Sequence, residues 1–287
     1  MKENKLWSTK VQSTELLYYS RVERFNEDNK DFWFQALKVK NGMKVLEVGC
    51  GGGHFTNMIK KFYPDCQVYG IDLDANHINF AKQKANELGI DVEYKVEDIS
   101  NLPFKDEEFD IVFSHTVVEH LPFDYFIKEQ KRVLKKDGWV IVTRSDMHKK
   151  VDCHFTYLED EIGKTFEKLK IERGVSVAKY LEEPDKTMQH LNEYGFKDID
   201  FLFQRVIYYL PDTQTPEVAL RQIRRNYECK LYNALFLLGL AENGEEFREE
   251  LLTMLEKQYE KRKEMFKNNQ KIYDFQSSNA IIISARK

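Results

Sequence analysis

The sequence predicts a doubly wound α/β protein built on a mostly parallel, seven-stranded sheet, with an extra helical insertion before the last strand. Three observations carry this prediction. From residue 44 onward, short apolar segments alternate with helical segments of about 10–15 residues, which is the pattern of consecutive βαβ units. The apolar segments have no polar face, as is typical of strands covered by helices on both sides. A glycine-rich turn at 49–53 separates the first strand from the first helix, where a bare backbone can approach a ligand closely.

Five strands and their connecting helices follow one another between residues 44 and 144. The predicted strands are 44–49, 67–73, 92–98, 109–116 and 139–144, and the helices between them are 53–64, 74–89 and 123–138. Pro64, Gly89 and Gly138 are interpreted as helix ends, because proline and glycine terminate helices.

The remaining segments are assigned by the same rules. A helix around 180–194 ends near Gly195 and leads into a sixth strand at 196–210, and the chain closes with a seventh strand at 279–287. Two amphipathic helices fill the interval between those strands. We therefore divide the chain into a helical N-terminal segment (1–40), a core (41–212), a helical insertion that forms a lid or a dimer surface (213–275) and the last core strand (276–287).

Composition excludes several classes of protein. The 287 residues are 42% hydrophobic, enough for a sizeable core, and 44 basic against 48 acidic residues leave no general attraction to nucleic acid. No apolar run is long enough to span a membrane, and the first residues do not resemble a signal peptide. The four cysteines are widely spaced and form no C-x-x-C pair, so we expect reduced thiols, a cytoplasmic location and no metal site.

The glycine turn does not match the two common phosphate-binding loops. A dinucleotide fingerprint that starts at Gly49 and Gly51 requires a third glycine where His54 stands, and no Gly-Lys-Ser/Thr follows as in a P-loop. Glu47 lies two positions before the first glycine, where a carboxylate would repel a pyrophosphate. An acid at this place suits a ligand that carries positive charge and no phosphate, and S-adenosylmethionine is such a ligand.

The stretch from Val45 to Gly53 resembles the first motif of class I S-adenosylmethionine-dependent methyltransferases, and further motifs follow in order. Asp72 ends the second strand, Asp98 and Ile99 follow the third, and Glu119-His120-Leu121 follows the fourth. The segment around Gly138 resembles the small-molecule branch of this family. The resemblance implies a Rossmann-like methyltransferase fold, S-adenosylmethionine as cofactor and a small-molecule methyl acceptor.

The resemblance also implies which residues bind the cofactor. Asp72 would hold the two ribose hydroxyls, Asp98 the adenine amino group, and Ile99 would lie beside the adenine ring. The full set of expected cofactor-binding residues is Glu47, Gly49, Cys50, Gly51, Gly53, Asp72, Leu73, Asp98, Ile99, Ser114 and His115.

The sequence leaves the catalytic residue open. His115 and His120 are candidates because they follow the fourth strand, where the methyl group should project, although both could be packing residues. Tyr18, Tyr19 and Arg21 could close over the cofactor, and ordinary helix packing is the alternative. Arg144 and His148, after the fifth strand, are candidates in the same sense as His115 and His120.

Two other functions compete with the small-molecule methyltransferase. The basic side chains of the insertion, Arg221, Arg224, Arg225 and Lys230, could serve an RNA or protein methyltransferase. A non-catalytic, cofactor-binding regulatory module could retain the same binding residues. A homodimer formed through the insertion is possible. The acceptor and its reacting atom cannot be deduced from the sequence.

Overall fold

A computed structural model of the chain describes residues 7–146, 152–171 and 178–287. Its strands are Lys44–Val48 (β1), Gln67–Asp72 (β2), Glu93–Val96 (β3), Phe109–His115 (β4), Leu134–Asp146 (β5), Lys197–Tyr209 (β6) and Gln276–Arg286 (β7). They form one sheet in the order β3-β2-β1-β4-β5-β7-β6. Among the described strands, β7 runs in the direction opposite to the other six, so the predicted mostly parallel, seven-stranded sheet is confirmed.

The helices cover both faces of the sheet and form the N-terminal segment and the insertion. Their bounds are Trp7–Lys10 (α1), Thr14–Arg24 (α2), Lys30–Ala36 (α3), His54–Phe62 (α4), Ala75–Leu88 (α5), Phe123–Val133 (α6), Glu159–Glu167 (α7), Pro184–Glu193 (α8), Pro216–Leu240 (α9) and Gly244–Lys267 (α10).

The central strands have no polar face because both faces are covered. Alternate residues of β1 enter opposite halves of the core, since successive side chains of a strand point in opposite directions. Val45 packs in a cluster with Trp33 of α3, whereas Leu46 packs in the cluster that contains Phe126 of α6. Because β1 to β4 pair in parallel, their carboxyl ends lie at the same edge of the sheet.

The prediction for residues 123–144 was wrong at one boundary. The helix was expected to end at Gly138, but α6 ends at Val133 and β5 begins at Leu134. Val133 and Leu134 are fully buried, and Leu134 already pairs with Phe109 of β4. Tertiary pairing therefore overrides the helical propensity of this segment, and the Gly138 turn is an irregularity within the strand.

The insertion is a helical hairpin. Tyr227 of α9 stacks on Tyr259 of α10 with ring centroids 4.5 Å apart, and Leu238 and Leu251 form a small core with Ile162 of α7. Helix α7 was absent from the sequence prediction, although its acidic first turn and the i, i+4 pair Ile162 and Phe166 are helix signals. In the described ranges, no helix combines the length and apolarity that crossing a bilayer requires.

Candidate active site

A cavity of about 760 Å³ lies at the carboxyl ends of the parallel strands. Residues that follow β1 to β4 form its floor, and the first two helices form its roof. Its lining includes nine of the eleven expected cofactor residues, namely Glu47, Gly49, Cys50, Gly51, Asp72, Leu73, Asp98, Ile99 and His115. The other two, Gly53 and Ser114, are not lining residues; Ser114 is completely buried.

Glu47 lies near the end of β1 and is only 3% exposed. The backbone N–H of Thr56, in the first turn of α4, donates to its Oε2 at 3.2 Å. Burial nevertheless dominates, and it raises the pKa of Glu47 well above the ordinary value of 4.5. The site therefore holds a carboxyl group that a neighbouring positive charge would stabilise in its ionised form.

Asp72 ends β2 and connects that strand to the glycine turn. Its Oδ2 accepts from the backbone N–H of Gly51 at 2.9 Å, and its Oδ1 accepts from the N–H of Asp74 at 2.9 Å. His77 lies 3.3 Å from the same Oδ1. These contacts fix the carboxylate at the cavity wall, where its remaining lone pairs can accept from the vicinal hydroxyls of a ribose.

Asp98 lies in the loop after β3. The hydroxyl of Tyr125 donates to both of its oxygens, at 2.6 and 2.8 Å, and the backbone N–H of Ser100 donates at 2.8 Å. Ile99 lines the cavity beside it. A polar acceptor next to an apolar side chain is suited to a purine ring with an exocyclic amino group. Tyr125 had not been identified from the sequence.

The two candidate histidines occupy different parts of the wall. His115 is the last residue of β4 and is 5% exposed, with its Nδ1 2.8 Å from Thr143 Oγ1. His120 lies in a short 3₁₀-helix, and its ring meets that of Trp7 at a centroid distance of 4.7 Å. Arg144 is not a lining residue and donates to the Glu182 carbonyl oxygen at 2.6 Å. His148 lies outside the described residues.

The N-terminal helices cover the cavity. Leu17, Tyr18 and Arg21 of α2 line its roof, and Arg21 Nη2 donates to Thr116 Oγ1 at 3.0 Å. In α1, the backbone N–H of Ser8 donates to Asp74 at 2.8 Å. Tyr19 faces away from the cavity lining and stacks on Tyr232 of α9 at 4.3 Å.

The insertion packs on the outer side of this roof. Arg221 and Arg225 of α9 both bind Asp28 at 2.7 Å, and Asn226 donates to Glu23 at 2.7 Å. The other two basic residues named from the sequence also have acidic partners: Arg224 binds Glu228, and Lys230 lies 3.6 Å from Glu159. The basic side of the insertion is therefore neutralised by neighbouring acids.

Several lining residues come from segments that carried no recognisable motif. These are Trp7, Ser20, Glu23 and Arg24 from the N-terminal segment, Ser145 from β5, Tyr208 from β6 and Cys229 from α9. The regular spacing of apolar residues in α2 indicated a helix, but no local signal indicated which surface that helix covers. In the ranges described, no group of three or more His, Cys, Asp or Glu side chains is arranged to hold a metal ion.

Comparisons with known proteins agree with this geometry. A family of methyltransferase domains matches residues 46–142. Phosphoethanolamine N-methyltransferase 1 of Arabidopsis thaliana is 40% identical over 96 residues, which are 33% of this chain and 19% of that protein. A ubiquinone biosynthesis O-methyltransferase of Chelativorans sp. is 33% identical over 109 residues, covering 38% of this chain and 42% of the relative. The chain thus spans less than half the length of these two relatives.

Similar folds occur among solved structures. Phosphoethanolamine N-methyltransferase 2 of Haemonchus contortus, in complex with S-adenosyl-L-methionine, matches with a TM-score of 0.56 at 18% identity. The match covers 98% of this chain and 59% of that one. The [4+2]-cyclase SpnF matches with a TM-score of 0.50 at 17% identity, over 90% of this chain and 78% of its own. The domain match identifies residues 46–142 as a methyltransferase domain, and the chain shares its fold with these solved structures.

Proposed function

We propose that this chain transfers the methyl group of S-adenosylmethionine to a small-molecule acceptor. The observation that carries the proposal is a single cavity lined by the glycine turn together with Glu47, Asp72 and Asp98. His115, Tyr208 and other polar residues also line this cavity. The three acids and the glycine turn suit the cofactor, and the other polar residues could contact an acceptor.

In this arrangement each acid has a separate role. Asp72 would accept from the ribose hydroxyls, Asp98 from the adenine amino group, and Glu47 would face the positively charged methionine end. The buried Glu47 fits this role. Burial raises its pKa because the chain alone does not offset the cost of a buried negative charge, and the positive end of the cofactor would offset it. Bound S-adenosylmethionine supplies an electrophilic methyl group on a sulfonium. The protein has to align the acceptor with that group and exclude water.

The roof suits water exclusion. Tyr18 and Arg21 come from α2, which the insertion supports from outside, and Trp7 contacts His120 across the cavity. We propose that residues 7–24 form a lid that encloses cofactor and acceptor, with α9 as its support. The sequence-based options of a cytoplasmic location and a homodimer are additional predictions, and sedimentation analysis would measure the oligomeric state.

Calorimetric titration followed by an acceptor screen tests the proposed function. The protein should bind S-adenosylmethionine and S-adenosylhomocysteine, and at least one small amine, alcohol, phenol or carboxylic acid should stimulate formation of S-adenosylhomocysteine. Absence of binding to both cofactor forms would contradict the proposal.

A second candidate is binding of the cofactor without methyl transfer. A shared fold does not fix the reaction, and a [4+2]-cyclase has a similar fold. Cofactor binding without turnover on any acceptor would support this second candidate. An RNA or protein methyltransferase is less well supported, because the basic side chains of the insertion are paired with acids.

Replacing Asp72 by alanine should weaken cofactor binding by about 1–3 kcal/mol, the usual range for hydrogen bonds to a charged group. The substitution removes the predicted ribose acceptor and also releases the Gly51 N–H. The dissociation constant of S-adenosylhomocysteine, measured by calorimetry, checks this. Asp91→Ala, an exposed acid before β3, is the matched control and should retain wild-type affinity. Unchanged affinity in Asp72→Ala would show that Asp72 only stabilises the turn.

Cofactor affinity should rise with pH above the ordinary glutamate value of 4.5, as long as the cofactor's amino group remains charged. Burial raises the pKa of Glu47 in the free protein, whereas a bound cation favours the ionised carboxylate, so binding releases a proton below that pKa. Titrations in two buffers with different ionisation enthalpies would measure the released proton. Glu47→Gln should abolish this part of the pH dependence. If the cofactor affinity of Glu47→Gln rises with pH as steeply as that of the wild type, Glu47 is not the group that releases the proton.

A further inference from the structure

His115 has one ring nitrogen that is anchored and one that has no partner, as does His77, whose Nδ1 lies against Asp72 at the ribose side of the cavity. His115 ends β4, and the rings of Phe25 and Phe55 lie against it with centroids 4.8 and 5.5 Å away. Its Nδ1 faces Thr143 of β5, whereas its Nε2 is buried without a hydrogen-bond partner. The same side chain lines the cavity.

The hydrogen bonds around Thr143 determine which ring nitrogen carries the proton. A threonine hydroxyl has one hydrogen, and Thr143 Oγ1 donates it to the carbonyl oxygen of Ser114 at 3.1 Å. The contact of 2.8 Å between Thr143 Oγ1 and His115 Nδ1 must then use the hydrogen of Nδ1. In a neutral ring this leaves a lone pair on Nε2.

The surroundings keep the ring neutral. Burial lowers the pKa of His115 well below 6.5, and the nearby guanidinium groups of Arg21 and Arg24 lower it further. Three other buried atoms of lining residues also have no hydrogen-bond partner, namely His77 Nε2, Glu119 Oε2 and Ser145 Oγ. A lone pair, a carboxyl oxygen and a hydroxyl together suit a ligand that contributes hydrogen-bond donors.

We propose that His115 is the catalytic base, its Nε2 accepting the hydrogen bond and then the proton of an acceptor that reacts through an O–H or N–H group. The inference rests on the proposed methyl transfer and deepens it. The acceptor's lone pair forms the bond to the methyl carbon, the electron pair of the broken carbon–sulfur bond stays on sulfur, and the proton of the acceptor passes to Nε2. For an O–H acceptor, methylation makes that proton strongly acidic, so a weakly basic imidazole is sufficient to remove it.

The first test concerns the protonation of the ring and needs no acceptor. Long-range ¹H–¹⁵N NMR spectra of the protein bound to S-adenosylhomocysteine should show His115 protonated at Nδ1 and unprotonated at Nε2 at pH 7. Thr143→Val removes the hydroxyl that selects this tautomer, and should produce a mixture of the two forms. A ring protonated at Nε2 in the wild-type protein would overturn the proposal.

The second test uses an acceptor found by the screen. His115→Asn retains an amide near the position of Nδ1 but has no counterpart of Nε2, and kcat should fall about 100-fold or more, the scale of general base catalysis. His190→Asn, a half-exposed histidine on α8, is the matched control and should retain wild-type kcat. His115→Ala leaves a space the size of the lost ring, and added imidazole should partly restore its rate.

The outcomes separate this inference from the proposed function. If His115→Asn binds S-adenosylhomocysteine normally and loses turnover, both stand. If it retains wild-type kcat, methyl transfer stands and His115 is not the base. If it loses affinity for S-adenosylhomocysteine in proportion to its loss of kcat, His115 is a cofactor-binding residue, and the inference fails. If the wild-type protein binds neither form of the cofactor, the proposed function itself fails.

Discussion

Replacing Arg262 by alanine is expected to lower the free energy of unfolding by about 3–5 kcal/mol, because the change leaves buried charges without a partner. Arg262 of α10 is 2% exposed, and its guanidinium binds Asp274 at 2.7 Å and Asp212 at 3.0 Å. Burial by itself would raise the pKa of Asp212. The N–H groups of Ile272 and Tyr273, together with Arg262, outweigh burial and hold that pKa below its ordinary value.

Urea unfolding at pH 7 would measure the effect. Arg248→Ala removes an arginine on the same helix whose ion pair with Glu245 lies at the surface, and should leave the midpoint unchanged. Arg262→Met combined with Asp274→Asn should recover part of the loss, since fewer buried charges then lack a partner. A midpoint for Arg262→Ala equal to that of Arg248→Ala would contradict the proposed role of the buried cluster.

The cluster should also make stability depend on pH. A carboxyl group whose folded pKa is depressed contributes stability above its unfolded pKa, and that contribution is lost as pH falls through the folded value. For Asp212 the loss should begin as pH drops toward the ordinary value of 3.8 and continue below it. The difference between wild type and Arg262→Met/Asp274→Asn should therefore shrink as the solution is acidified.

Replacing Gly53 by alanine should cost about 2–5 kcal/mol of stability, the sum of a left-handed backbone penalty and a packing penalty. Gly53 has φ +77° at the start of α4. An added Cβ would lie 2.8 Å from both Cζ of Tyr94 and Cβ of Ala81, and both neighbours are buried. Tyr94 is held in place by its hydroxyl, which bonds Asn57 Oδ1 at 2.8 Å.

Gly89→Ala provides the control for the backbone penalty. Gly89 has φ +64° at the end of α5, and nothing lies within 4 Å of an added Cβ. This variant should lose only the backbone contribution, about 1–2 kcal/mol. Thermal or urea unfolding of both variants would measure the difference. If Gly53→Ala and Gly89→Ala lose equal stability, the contact with Tyr94 is not the cause.

Local patterns in the sequence were sufficient for the strands and for most helix ends. The helix predicted over 74–89 ends at Gly89 as expected. The structure adds that Asp74 accepts from the N–H of Asn76 as an N-cap and that Gly89 has a left-handed conformation. The error at Gly138 had a different origin. The choice between one more turn of α6 and an earlier start of β5 depends on the pairing of Leu134 with Phe109. Phe109 lies about 25 residues away in the chain, so the local sequence does not indicate this pairing.

Arg262 also shows the difference between local patterns and contacts between distant segments, here inside a helix that the sequence predicted. Its spacing placed it on the apolar side of α10, where an arginine is unexpected. The acids that compensate its charge come from the segment after β6 and the segment before β7, so the reason for its position appears only when the three segments meet.

For this protein the sequence alone determined the strand order along the chain, the glycine turn and the acids at the strand ends, and the methyltransferase domain match over 46–142 includes these features. Such features depend on neighbours within a few residues, where propensity and spacing act. Only the tertiary structure decided which surface covers the cavity, which nitrogen of His115 is free and where the basic residues of the insertion find acids. Those features depend on contacts between segments far apart in the chain, whose geometry is set by packing of the whole fold.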